Sequence, residues 1–255
     1  MSAPLLGEAL PSEGKPREGQ PLTLDPIGII RSPYKEKFAV PRQPGLVSQA
    51  QAQLEMLPPY NEPSAFRGLA EFSHLWLVFV FHQTQDQGWN PTVRPPRLGG
   101  NERVGVFATR STFRPNPLGL SVVRLLDMCK DGNKVWLELG GVDLVDGTPV
   151  VDIKPYLPWA DAVPDAHGGF APAPPDLNME VIFTPAAELS CARSHIPNLK
   201  QFISEVLAQD PRPAYKRQQQ HWQEYGVRLY HYNVRFEVFG HLTRVLSLEV
   251  LPDNQ

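Results

Sequence analysis

Hydrophobic and polar positions along this chain alternate in short runs, and the densest set lies between Val104 and Tyr156. Runs rich in Val, Leu, Ile and Phe, bounded by Asn, Asp, Gly and Pro, are the signal of β-strands. Four such runs fall here: Val104 to Ser111, Leu118 to Met128, Lys134 to Leu139 and Val150 to Tyr156. Lys130-Asp131-Gly132-Asn133 separates the second from the third, and Asp146-Gly147-Thr148-Pro149 the third from the fourth. Each holds an Asp-Gly step suited to a tight turn, so the pattern predicts an antiparallel meander. The first connection, Arg114-Pro115-Asn116-Pro117, fixes φ twice and removes two backbone donors, which makes it a stiff corner or a pre-formed ligand wall.

Outside this stretch the pattern predicts a short strand over Asp25 to Ser32 and a short helix over Gln49 to Met56 that stops before Pro58-Pro59. From Leu69 to His82, Leu75, Leu77, Phe79 and Phe81 share one face and Trp76, Val78 and Val80 the other. Both faces are apolar, so this strand is expected to be buried on both sides, centrally or under another subunit. Further on, Asn178 to Phe183 reads as a strand and Pro185 to Ala208 as a helix that Pro197 kinks or splits. A hairpin of Val227 to Phe239 with His241 to Leu251 completes a small α+β unit of one helix and three strands. The proline-rich, small-residue stretch Trp159 to Leu177 is the expected domain boundary. The organisation expected is therefore a disordered tail at 1–22, a first domain at 23–160 and a second at 178–255.

Composition narrows the classes. With 24 Lys and Arg against 27 Asp and Glu, net charge does not announce a nucleic-acid binder. Two cysteines, Cys129 and Cys191, with no CxxC, argue against a disulfide framework or a structural zinc site and fit a reducing cytoplasm. No basic start followed by an apolar run and no stretch of roughly 20 apolar residues is present, so a soluble chain is expected. GxGxxG after a strand, GxxxxGK[ST], GxSxG and HExxH are all missing, which sets aside dinucleotide redox chemistry, P-loop hydrolysis, serine hydrolysis and zinc proteolysis. A Rossmann methyltransferase is disfavoured on the same ground.

What remains is a set of polar residues at the ends of apolar strands: Arg42 and Gln43 between two prolines, His82 and Gln83, Arg110 and Arg114, and the Asp146 to Pro149 turn. If the strands close into a barrel, such ends gather at one rim, where small ligands sit. The two guanidinium groups suit a carboxylate or phosphate. Each residue has a structural alternative: Arg110 could pair with Asp143 or Asp152, and the Asp-Gly turn could merely close a hairpin. Between Arg193 and Arg244, eight Lys or Arg stand against four Asp or Glu, with Tyr215, His221, Trp222, Tyr225, Tyr230 and Tyr232 interleaved. Cations attract a phosphate backbone and flat rings stack on unpaired bases, so this segment, with Arg212, Tyr215, Lys216 and Arg217 at its head, is a candidate RNA contact.

Taken together, PIGIIRSPY, KEKFAVPRQPGLV, LPPYNEPSAFRGLAEFSHLWLVFVFH, RVGVFATRSTFRPNPLGLSVV, DGTPVVDIKPYLP, DPRPAYKR and YGVRLYHYNVRFEV resemble the TsaA-like tRNA methyltransferase family known as TrmO, from about Asp25 to Leu251. The resemblance implies a mainly β, non-Rossmann fold: an antiparallel β-barrel N-terminal domain with a smaller α+β C-terminal domain, in a homodimer. It implies S-adenosylmethionine as methyl donor and, as acceptor, N6 of threonylcarbamoyladenosine beside the anticodon of threonine tRNA. It implies cofactor contacts from Pro41, Arg42, Gln43, His82, Gln83, Arg110, Leu120 and Asp146, Gly147, Thr148 and Pro149, with no metal, DNA or membrane partner. A base to accept the N6 proton is left open between Asp152 and His82. The competing reading is a non-catalytic RNA-binding or regulatory protein that keeps the barrel as a ligand sensor, or a methyltransferase with another substrate.

Overall fold

The computed structural model describes residues 21–252 apart from 176, 178, 214, 215, 218 and 220. All but the last two residues of the expected tail, and Tyr215, lie outside the described residues. In chain order the elements are β1 (Gly28–Arg31), β2 (Gln51–Met56), β3 (His74–Val80), β4 (Thr92–Val93), β5 (Val104–Gly105), β6 (Leu118–Asp131), β7 (Lys134–Gly140) and β8 (Pro149–Pro155). After these come α1 (Pro158–Asp161), β9 (Glu180–Phe183), α2 (Pro185–Arg193), α3 (Leu199–Leu207), β10 (Gln223–Leu229), β11 (Tyr232–Phe239) and β12 (Leu242–Val250). Among the described residues no helix is long and apolar enough to cross a membrane.

Six strands close an antiparallel barrel in the order β1-β2-β7-β6-β3-β8. Its interior follows from period-two alternation: Ala52, Leu54 and Met56 on β2, Leu75, Leu77 and Phe79 on β3, and Val135, Leu137 and Leu139 on β7 all point inward and are buried. The segment expected as a helix, Gln49 to Met56, is thus strand β2. Ala, Gln, Leu, Glu and Met are helix formers, but Gln51, Gln53 and Glu55 alternate outward, and Leu54 sits between Ile30 of β1 and Leu137 of β7; packing overrides propensity. For Leu69 to His82, central burial on both faces does not hold within the single chain. Only the inward face of β3 is fully buried, while His74, Trp76, Val78 and Val80 stay half-exposed on the outside.

The expected meander is only half right. The turn at Gly132, with φ of +56°, joins β6 to β7 as a hairpin, yet β7 and β8 are not neighbours. Gly147 N donates to Ile30 O at 2.8 Å and Ile30 N to Thr148 O at 2.9 Å, so the Asp-Gly turn lies on β1, and β8 closes the barrel between β1 and β3. Val104 to Ser111 forms only the two residues of β5, paired with β4. A tight turn at Val106 to Ala108 follows, and its carbonyls at Val106 and Thr109 accept from Arg114 Nη1 at 3.3 and 2.7 Å. Arg114 is therefore a brace for this loop.

The second sheet runs β10-β11-β12-β9, with β9 parallel to β12. Pro197 splits the expected helix into α2, capped by Thr184 Oγ1 accepting from Ala187 N at 3.2 Å, and α3, which buries Leu199, Phe202, Ile203, Val206 and Leu207. The expected arm Val227 to Phe239 is two strands. The chain reverses at Tyr230 and His231, and Tyr230 adopts φ of +54°, a backbone state unfavourable for a bulky side chain. Its ring lies 5.4 Å from Phe202 and its N–H donates to Pro33 O at 2.7 Å, so tertiary contacts hold it there.

Close packing inside the barrel yields a stability test. Gly119 on β6 stands opposite Phe79, and a Cβ there would meet the Phe79 ring at 2.3 Å. Gly119→Ala is expected to destabilise the protein by about 1–3 kcal/mol, measured from urea unfolding midpoints, with an unchanged midpoint as the contrary result.

Candidate ligand site at one end of the barrel

Strand register decides which loops meet. Val80 pairs with Leu118, Phe79 and Gly28 both pair with Val150, Arg31 with Gln53, and Gln51 with Gly140. The connections at 32–50, 81–117 and 141–148 therefore all leave the barrel at the same end. These carry Pro41, Arg42 and Gln43, then His82, Gln83 and Arg110, then Asp146, Gly147 and Thr148, with Pro149 starting β8 and Leu120 two residues into β6.

Direct contacts tie parts of this set together. Arg110 Nη1 donates to Gln43 Oε1, and Gln43 Nε2 donates to Arg42 O. Neither acidic partner expected for Arg110 takes its hydrogen bond, although Asp143 lies close enough for the two charges to interact. Asp146 does more than close a turn: its Oδ1 accepts from Ser32 N at 2.9 Å, and Lys35 Nζ lies 2.9 Å from its Oδ2. Thr148 is buried and its Oγ1 donates to Val145 O at 2.6 Å. Leu120 is 60% exposed on the barrel's outer face, an apolar side chain facing solvent beside the rim. His82 is half-buried and Gln83 exposed just past the end of β3, and among the described residues no hydrogen bond joins their side chains to the other rim residues.

Electrostatics separates the groups. Burial holds the His82 imidazole below its ordinary value, so it is neutral near pH 7 with a nitrogen free to accept. Partial withdrawal from water, then repulsion by Arg217 and Arg97 against the pull of Asp210, lowers the Arg42 guanidinium. Arg217 and Asp210 belong to the second unit, so barrel rim and C-terminal unit share one field. There Arg212 departs from the expected RNA contact. It is 2% exposed, donates from Nε and Nη2 to both Asp210 oxygens at 2.7 and 3.0 Å, and reaches Gly240 O at 2.9 Å. It anchors the segment; a buried guanidinium held this way does not present charge to a phosphate. Arg217 is exposed and Lys216 is half-buried with Nζ 5.7 Å from the Tyr225 ring, while Tyr215 lies outside the described residues.

Asp143, read in the sequence only as a possible partner of Arg110, proves to be a largely buried carboxyl. It sits between buried Val142 and Leu144, and accepts from the fully buried Ser121 hydroxyl at 2.6 Å. An acidic residue flanked by two core apolar residues, in a loop that ends a strand, was the available signal.

Comparison with known proteins places this geometry among relatives. A model of the tRNA-methyltransferase O N-terminal domain matches residues 29–162, and one of the TrmO C-terminal domain matches residues 176–251. The Escherichia coli (strain K12) protein named tRNA (adenine(37)-N6)-methyltransferase is 57% identical over 225 residues, 88% of this chain and 96% of that protein. A Pseudomonas aeruginosa protein, RcsF, named provisionally as an S-adenosylmethionine-dependent methyltransferase, is 49% identical over 218 residues, 84% of this chain and 91% of its own length. A crystal structure of TrmO from Pseudomonas aeruginosa matches with a TM-score of 0.72 at 40% identity, covering 91% of this chain and all of that one (100%).

Asp143 supplies a test of the rim's electrostatics. Burial pushes its carboxyl up from 3.8 to about 6, opposed by the Ser121 hydroxyl, a backbone hydrogen bond at Asp143 itself and the Arg110 charge. A carboxyl raised on folding binds its proton more tightly in the folded state, so its contribution to stability is full below its unfolded value and is lost as pH rises through about 6. Asp143→Asn removes that loss. Relative to the parent, the variant is expected to gain stability as pH rises from 3.8 to about 6, measured as the difference in urea midpoints; a difference that does not vary with pH refutes the assignment.

Proposed function

The chain belongs to the tRNA-methyltransferase O family, and we propose that its particular substrate is N6 of threonylcarbamoyladenosine beside the anticodon of threonine tRNA. It is an S-adenosylmethionine-dependent tRNA adenine-N6 methyltransferase built on a β-barrel. We infer the finer substrate, the threonine isoacceptors, a homodimeric state and a cytoplasmic location from the motifs that run from Asp25 to Leu251. One observation carries the site: three connections distant in sequence leave the same barrel end, and Gln43 of the first meets Arg110 of the second.

The rim fits an amino-acid sulfonium. Arg110 commits Nη1 to Gln43 and leaves the remainder of its fork for a carboxylate, while Leu120 offers exposed apolar surface. Pro41, Arg42, Gln43, His82, Gln83, Arg110, Leu120 and the turn from Asp146 to Pro149 are the residues that would hold it. When bound, the cofactor supplies an electrophilic methyl group on sulfur. The protein's part is to align the acceptor nitrogen and to take its proton. Lys154 Nζ already holds Asp152 at 2.8 Å, whereas His82 is neutral and half-buried, which favours His82 as proton acceptor. On the RNA side, Lys216 and Arg217 carry the accessible charge.

Mass spectrometry of nucleosides from threonine tRNA of a deletion strain, with and without the gene restored, tests substrate and reaction together. The methylated threonylcarbamoyladenosine is expected only with the gene present; its presence without the gene refutes the reading. Arg110→Ala is expected to weaken S-adenosylmethionine binding by about 10- to 100-fold through loss of a charge-assisted hydrogen bond, by calorimetric titration. Arg217→Ala is expected to weaken tRNA binding and lower its salt slope by about 1 while leaving cofactor affinity intact. An unchanged slope would take Arg217 out of the interface.

A further inference from the structure

On the barrel's outer face, where β3 lies between β6 and β8, a cavity of about 430 Å³ is lined by His74, Trp76, Val122, Tyr156 and Asp161. That volume falls within the roughly 300–1,000 Å³ of small-molecule sites. Its walls are rings: Trp76 and Tyr156 have centroids 6.1 Å apart at 44°, and His74 lies 6.4 Å from Tyr156 at 62°. Strand register flanks the rings with cations, because His74 is paired with Arg124 on β6 and Trp76 with Lys154 on β8, both exposed. Asp161 lies on α1 beside Trp159, whose side chain is 84% exposed. Its Oδ2 accepts from Leu157 N at 2.8 Å, and Oδ1 accepts no hydrogen bond among the described residues.

Flat rings bordered by cations form the composition that stacks an unpaired base and holds its phosphate. A patch that served only to pair two copies would not need the cations. The cavity also lies near the candidate donor site: Leu120 and Val122 share the outward face of β6, two residues apart, which is about 7 Å along a strand.

We propose that this cavity receives the acceptor purine of the substrate RNA, splayed from its loop, with the contiguous Trp76 and Tyr156 rings as one stacking surface and Asp161 Oδ1 accepting from an N–H on the base. The assignment rests on the tRNA methyltransferase reading and deepens it. Arg124 faces the flanking phosphate, while Lys154 is held by Asp152 at 2.8 Å beside the rings.

The test uses the whole chain and an anticodon stem–loop RNA carrying 2-aminopurine immediately 3′ of the anticodon, a base whose fluorescence stacking quenches. Quenching on titration with the parent protein is expected. Trp76→Leu should weaken binding about tenfold and abolish the quenching, Trp76→Phe should restore most of both, and S-adenosylmethionine affinity should not change. An unquenched probe with the parent protein overturns the proposal even where the same preparation methylates tRNA, so the enzyme reading survives that failure. Quenching without any methylation has the reverse meaning: the base pocket stands and the enzyme reading falls. A Trp76→Leu protein that binds RNA as before but changes mass in light scattering identifies the face as a contact between copies and overturns the pocket. Should Trp76→Leu fail to fold, the parent titration and Trp76→Phe decide alone.

Discussion

The structure depends on one insertion: Tyr34, at the start of the loop between β1 and β2, is buried completely between the barrel and the second sheet. Its ring lies 5.9 Å from Phe202 of α3, and its backbone bridges Leu229 at the end of β10. Around it, Lys35 N donates to Arg228 O at 3.3 Å, Phe38 stacks on Tyr225 at 6.2 Å, and Ser48 Oγ and Gln49 N donate to Glu205 at 2.9 and 3.1 Å. Burying an aromatic ring contributes roughly 1.5–3 kcal/mol. Against that, the Tyr34 hydroxyl has no hydrogen-bond partner among the described residues, which costs about 1–3 kcal/mol, and burial pushes its ionisation far upward. Near-cancellation at Tyr34 means that the remaining loop contacts decide how firmly the two units hold together.

That insertion explains how a loop reaches the barrel rim with a defined shape. Residues 32–50 are fixed by the second unit at both ends, through Tyr34 and Lys35 on one side and Ser48 and Gln49 on the other, while Pro41 and Pro44 stiffen the middle. Arg42 and Gln43 are therefore presented by a braced span. Arg110 arrives on a second braced loop, where Arg114 gathers the carbonyls of Val106 and Thr109. The Gln43 to Arg110 bond joins two pre-ordered pieces, so little conformational entropy is lost when it forms. The first piece is held by α3 and β10, so its shape depends on the second unit as well as on the barrel.

How much of this was legible in the sequence follows from what each residue's neighbours reveal. Alternation gave β3 and β7 because their inward residues are large and apolar on one phase, whereas β6 was readable from its run of Val and Leu, its buried positions being Gly119, Ser121 and Val123. It was also present in Gln51 to Met56, but helix-forming residue types masked it, and only the flanking Ile30 and Leu137 show why a strand wins. Tyr230 was invisible for a different reason. A bulky residue with positive φ carries no local turn signal, and the contacts that hold it come from Phe202 and Pro33, far away in sequence. The polar rim residues were readable as a group because they end apolar strands. Their pairings were not: Arg110 meets Gln43 rather than an acid, and Arg212 is an anchor, because sequence gives a charge and not its burial. The meander failed since closure of a barrel is a global choice, and β8 is placed by its bonds to β1, not by its preceding turn.

In-line methyl transfer makes heavy demands on alignment and light ones on covalent chemistry, so a rigid positioning frame accounts for the architecture better than a reactive group does. A closed barrel has no free edges and little freedom to shear, and its connections at one end are tied by Pro41, Pro44, Pro115 and Pro117 and by contacts to a second unit. Proline limits the loops in the unfolded chain as well as the folded one, which lowers the entropy lost on ordering them. Leu120 at the rim and the aromatic cavity lower on β3 and β6 lie on one stiff sheet, whose register sets their separation. A Rossmann enzyme orders its cofactor on a glycine turn and a helix N-terminus; here the same task falls to braced loops around a barrel, and the unusual proline content is the mark that this solution leaves in the sequence.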